Sequence, residues 1–210
     1  YDVNKDLTPI IKIVENAMGL AVSTSSPWKT MQDLISYSKA NPGKFKYAQF
    51  GTVNYMAMEK FAREAGLKWV SIPQKGSKEA ALALLGKHVD AYVGAGDIPV
   101  YVASGDWRVL VTFGKKRYRG YPDVPTFIDL GYKTFMLSPG AIVGPKGLPA
   151  PILEKLHNAF KQAMDDPSFL RLAKNLNLEL SYSDSKALGQ EIKELDELFA
   201  KLVEELNLKK

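Results

Sequence analysis

The sequence predicts an α/β layer structure in which parallel strands are joined by crossover helices. Three observations carry this. Short apolar runs alternate with stretches of helical period through the middle of the chain. The spacing between runs leaves room for crossover helices, which parallel strands require. The chain then closes on long amphipathic helices.

The elements follow in order. "TPIIKIVEN" and "GLAVSTSS" read as extended segments parted by Ala17 and Met18. "SPWKTMQDLISYSKANPGK" reads as a helix, with Ser26 as N-cap and Pro27 in the first helical position. Met31, Leu34, Ile35 and Tyr37 give it an apolar stripe, and Asn41-Pro42-Gly43 ends it. Strand "KFKYAQF" then leads into a helix over 53–65, and strand "KWVSIP" into a helix over Ser77–Leu85. Strand "VDAYVG" leads into a short helix over 97–103, and strand "WRVLVTFG" follows. After Gly114 the texture is loop-rich, punctuated by Pro122 and Pro125. "KTFMLSPGAIVGPKGLP" reads as two short strands broken at Pro139-Gly140. Helices over Ala150–Met164 and Ser185–Glu205 close the chain, with "DPSFLRLAKNL" as a smaller helix between them. The expected organisation is a first lobe contributed by 1–20, an inserted α/β lobe over 21–115, and a crossover and return over 116–210.

Composition narrows the function. The 210 residues are 46% hydrophobic and 24% charged, which suits a globular protein with a sizeable core. The net charge is +5, but the basic residues are scattered. The one dense group, Lys115, Lys116, Arg117 and Arg119, reads as solvated surface and not as a nucleic-acid stripe. With no cysteine, disulfides, thiolate nucleophiles and zinc–thiolate sites are excluded. No apolar run approaches the roughly 20 residues of a membrane span. The chain opens at Tyr1 without a signal-peptide pattern, so any targeting signal is expected outside these residues.

Candidate sites lie where strands turn into helices. In "FGTVNY", Gly51, Thr52, Val53, Asn54 and Tyr55 combine a glycine, free helix-start N–H groups and polar side chains, the makings of an anion site. The alternative is that Thr52 only caps the helix. In "IPQKGSKEA", Lys75, Gly76 and Ser77 open the next helix at the same sheet edge. "VDAYVGAGDIP" is half of a dinucleotide fingerprint, but Pro99 stands where the third glycine belongs. A nucleotide site is rejected, and Gly94 is read as allowing close approach, with Asp97 as N-cap. His88 and His157 are the only histidines, and neither a G-x-S-x-G nor an H-E-x-x-H pattern occurs. No catalytic constellation is found, and no cofactor or metal is expected. Leu195, Leu198, Leu202 and Leu206 recur at heptad-like spacing, read as a helix packing on its own core before a dimer seam.

Taken in order, "YDVNKDLTPI", "ANPGKFKYAQFGT", "IPQKGSKEAALALLGKHVDAY", "YPDVPTFIDLGY" and "VGPKGLPAPILEKLHNAF" resemble the solute receptors of tripartite tricarboxylate transporters, also called Bug proteins. The resemblance runs over essentially the whole chain. It implies a two-lobe, type II periplasmic-binding-protein-like α/β fold with mixed sheets flanked by helices, here with the first lobe incomplete. It implies a periplasmic, non-enzymatic receptor that captures a small di- or tricarboxylate and delivers it to membrane permease subunits. A monomer is expected. The alternative is a ligand-sensing module that signals to a membrane partner. Carried over, the family's polar turn falls on Gly51 to Tyr55 and its lysine–glycine loop on Gln74, Lys75 and Gly76. Tyr55 replaces a usual histidine and Gln74 a usual tyrosine. Ser138, Pro139 and Gly140 stand where a tryptophan is frequent, and Ser138 and Gly140 join the candidate ligand contacts.

Overall fold

The computed structural model describes residues 2–176 and 178–208. In chain order the elements are helix α1 (Val3–Asp6), strands β1 (Leu7–Glu15) and β2 (Gly19–Ser23), helix α2 (Met31–Ala40), strand β3 (Lys46–Gln49) and helix α3 (Thr52–Ala65). Strand β4 (Val70–Pro73), helix α4 (Ser77–Leu85), strand β5 (Ala91–Gly94), helix α5 (Ile98–Ala103) and strand β6 (Trp107–Thr112) follow. Strand β7 (Pro139–Pro145), helices α6 (Ala150–Met164) and α7 (Pro167–Asn175), strand β8 (Glu179–Ser183) and helix α8 (Ser185–Glu205) end the chain. The chain divides into two compact units: Tyr1–Asn16 with Ser138–Lys210, and Ala17–Leu137.

The second of these units holds a five-stranded sheet in the order β4-β3-β5-β2-β6. β3 is parallel to both β4 and β5, whereas β2 is antiparallel to β5 and β6. The strands that alternate with helices therefore run one way, as their crossovers demand. β2 is the exception, wedged antiparallel between β5 and β6. Ala48, Ala80, Ala81, Leu84, Tyr92, Ile98 and Trp107 are buried together in one core. A second set of aromatic contacts joins other parts of the unit. Phe45 and Phe61 lie 5.0 and 5.5 Å from Trp69, and Phe61 stacks on Phe127 at 4.1 Å. Phe127 also stacks on Phe113 at 5.2 Å.

Phe127 explains where 116–137 belongs. The sequence reading assigned these residues to the return crossover, yet they pack within this unit. Thr112 bridges Thr126 in parallel, and Met136 donates its N–H to Phe113 O at 2.8 Å. The Glu64 carboxylate accepts Lys133 N–H and the Thr134 hydroxyl, the latter at 2.7 Å. Burial alone would raise the Glu64 pKa, but these donors hold it below its usual value.

The other unit is built on a three-stranded antiparallel sheet in the order β7-β1-β8. Ile10, Ile11 and Met164 are buried with Ile142, Leu153, Leu156 and Phe160 packed against them. On α8, Leu188, Leu195 and Leu202 are buried, so the heptad-like leucines serve this unit's own core.

Several boundaries differ from the sequence reading, each for a local reason. α2 starts at Met31, capped by Thr30 in a reciprocal box with Asp33, and not at Pro27. Two matched hydrogen bonds outweigh a proline signal. "PGAIVGP" forms one strand that runs through the expected break, because Gly140 pairs with Val14 inside the ladder. Its missing Cβ would lie 2.4 Å from Val14 Cγ2. β8 and the four-residue α1 had no clear periodic signal.

Two substitutions test this packing. Phe127→Ala should destabilise the protein by about 3–5 kcal/mol in urea titration, because a fully buried ring is removed from between two others. Lys87→Gly should stabilise by up to about 1 kcal/mol, since Lys87 holds φ 58 at the end of α4 where glycine carries no Cβ penalty.

Candidate functional site

Three turns open side by side at one edge of the five-stranded sheet. Gln49, the last residue of β3, stands opposite both Pro73 of β4 and Val93 of β5. Gln74 N–H then donates to Gln49 O at 2.8 Å, tying the exit of β4 to the exit of β3. These are the C-terminal ends of parallel strands, where ligands of α/β sheets collect.

The turn into α3 is shaped by Gly51. It occupies the N-cap with φ 75 and ψ 147, a conformation essentially reserved for glycine. A Cβ there would meet nothing within 4 Å, so the backbone angle and not crowding requires glycine. The alternative in which Thr52 caps the helix is corrected: Thr52 is the first helical residue, and no side chain caps α3. The N–H groups of Thr52, Val53 and Asn54 therefore have no carbonyl four residues back within the helix.

α4 repeats the arrangement. Gly76 is its N-cap in extended backbone, Ser77 is its first residue, and again no side chain caps it. α5 and α6 also start without a side-chain cap, whereas Thr30 caps α2, Asp166 caps α7 and Asp184 caps α8. Each of those side chains takes up a first-turn amide that would otherwise be unmet. Two neighbouring helix starts thus lack a side-chain cap at the positive ends of their dipoles, and at α4 the Glu79 carboxylate of the first turn lies close to Gly76.

The candidate side chains divide by availability. Thr52 and Lys75 are exposed, and Val53, Tyr55, Gly76 and Ser77 are half-buried. Burial, with the charge of Glu59 adding to it, raises the pKa of the Tyr55 phenol, leaving it a neutral donor. Asn54 is buried, and its Nδ2 donates to Phe50 O at 2.7 Å, closing the turn and not offering that donor outward. Its Oδ1 and the Oε1 of Gln49 are buried without a hydrogen-bond partner among the described residues.

Three expectations change. The space a Gly94 Cβ would need is filled by Tyr92, whose hydroxyl would lie 2.4 Å away, so this glycine makes room for a phenol and not for a ligand. Tyr92 in turn donates to Asp97 Oδ2 at 3.0 Å, so Asp97 occupies the N-cap of α5 without capping it. Ser138 and Gly140 belong to the other unit. There Gly140 packs on Val14, and the backbone and hydroxyl of Ser138 are held by Glu15 and Asn16. Gln49 and Phe50 complete the turn and were not singled out in the sequence. The one signal for Gln49 is a polar residue closing an apolar strand.

A family model described as "Tripartite tricarboxylate transporter family receptor" matches residues 1–208. The UPF0065 protein in the gbd 5' region of Cupriavidus necator is 38% identical over 212 residues, covering 100% of this chain and 65% of that protein. The chain thus spans less than two thirds of that relative's length. Two solved Rhodopseudomonas palustris proteins share the fold. One, with adipate, has a TM-score of 0.82 at 22% identity, covering 97% of this chain and 70% of its own. The other, MatC with bound malate, has a TM-score of 0.78 at 22% identity, covering 97% and 71%.

Gly51→Ala should destabilise the protein by about 1–3 kcal/mol, because alanine cannot hold the observed φ without strain. Chemical denaturation reads this. A neutral outcome would mean the turn does not need its glycine geometry.

Proposed function

This chain belongs to the tripartite tricarboxylate transporter receptor family, and from that premise we propose that it captures a small di- or tricarboxylate outside the cytoplasmic membrane and delivers it to membrane permease subunits. The observation that carries the ligand class is the pair of glycine-started, uncapped helices α3 and α4 on neighbouring parallel strands. A carboxylate placed there would accept from the amides of Thr52 and Val53 and from the Thr52 hydroxyl. Gly76 and Ser77 would offer the second helix start, with Lys75 as a nearby cation and Tyr55 as a neutral donor. Backbone donors suit this task because they are oriented by the helix and need no side-chain ordering.

The two ligand-bearing structures support the same class, since adipate and malate are both dicarboxylates. The net charge of +5 favours small anions over cations. Among the described residues no helix is long and apolar enough to cross a membrane.

Thr52→Val should weaken carboxylate binding by about 1–3 kcal/mol, replacing a hydroxyl donor with a methyl of similar size. Titration calorimetry with a panel of di- and tricarboxylates measures it, alongside amide chemical-shift changes at Thr52, Val53 and Ser77. An unchanged affinity removes Thr52 from the site, and silent amides at both helix starts overturn the proposed location.

A further inference from the structure

The residues at which the chain leaves and re-enters the first unit share one polar cluster within that unit. The chain leaves the first unit after Asn16 and re-enters it at Ser138. β1 and β7 pair up to Glu15 opposite Pro139. Pro139 has no N–H, so it cannot donate to the ladder at this point. Other groups take over. Ser138 N–H donates to Glu15 Oε1. Asn16 N–H donates to Ser138 O at 3.0 Å. Asn16 Nδ2 donates to the same carbonyl at 3.0 Å and to Ser138 Oγ at 3.2 Å.

The cluster is anchored inward. Glu15 is only 7% exposed, and its Oε2 lies 3.7 Å from Lys12 Nζ. Lys12 is held in turn by both carboxylate oxygens of Glu191 on α8, at 2.8 and 2.7 Å. A buried carboxylate that both accepts a backbone N–H and faces a paired lysine is strongly constrained in position. Beside it, Gly140 lets β7 sit directly on Val14 of β1.

We propose that Glu15, Asn16 and Ser138 form a lock that makes the two connections move as one ribbon, braced on α8 through Lys12 and Glu191. Asn16 and Ser138 are then positioning residues of the receptor's hinge and not ligand contacts. The inference rests on the receptor reading for its purpose, but its test needs no ligand.

The chain has no cysteine, so Lys44→Cys in one unit and Lys155→Cys in the other give a unique pair of spin-label sites. Double electron–electron resonance on the ligand-free protein should show a broader distance distribution after Asn16→Ala. Glu15→Gln, which keeps shape and loses charge, should broaden it less. It should also speed hydrogen exchange of the Ser138 amide by roughly tenfold, the scale of losing a charge-assisted bond. After Asn16→Ala, exchange should rise at the amides of both 17–18 and 138. An unchanged distance distribution overturns the lock, even if the melting temperature falls. So does an exchange increase confined to the mutated strand. A wild-type distribution that ignores a dicarboxylate panel would count against the receptor reading and leave the lock result standing.

Discussion

Parallel pairing of β3 with both β4 and β5 is the constraint on which the larger unit depends. Parallel neighbours cannot be joined by tight hairpins, so every return must cross a face of the sheet as a helix. That requirement creates α3 and α4 and sends their starting turns to one edge. The Gln74–Gln49 hydrogen bond then fixes those turns as neighbours. Remove the parallel register, and the two uncapped helix starts would no longer share an edge. The candidate site is in this sense a by-product of strand direction, refined by two glycines.

Three helix starts are closed by side chains of the chain itself, and the two at the candidate site are not. Thr30, Asp166 and Asp184 meet first-turn amides with their own side chains and so stabilise those helices. Gly51 and Gly76 offer no side chain, so α3 and α4 forgo that stabilisation. The smaller unit follows a different logic. Its antiparallel sheet needs no crossover helices, and its polar centre is the buried Lys12–Glu191 pair with Glu15 beside it. Removing one member of such a group leaves a buried charge uncompensated, which generally costs more than the pair contributes.

Much of this was legible in the residues. Strand–helix alternation located β3 through β6, and the helix over Ser77–Leu85 was read to the residue because a glycine precedes it and an alanine- and leucine-rich face fills it. The polar turns were visible as glycine followed by small polar residues after an apolar run. What misled was local chemistry with two outlets. Ser26-Pro27 is a sound helix start until Thr30 and Asp33 offer a better one. Gly94, Ser138 and Gly140 carry the same residue types as a ligand site, and nothing in the sequence says that Tyr92, Asn16 and Val14 claim them first.

The sequence by itself determined the α/β class, the order of the middle elements, the two glycine turns and the family resemblance, because periodicity and turn chemistry are local properties. Tertiary structure alone decided that β2 wedges antiparallel between β5 and β6 and that 116–137 packs through Phe127 on the larger unit. It also decided which glycines and polar groups are occupied by neighbours. Those outcomes depend on contacts between residues far apart in the chain, and no local pattern records which distant side chain will fill a given space.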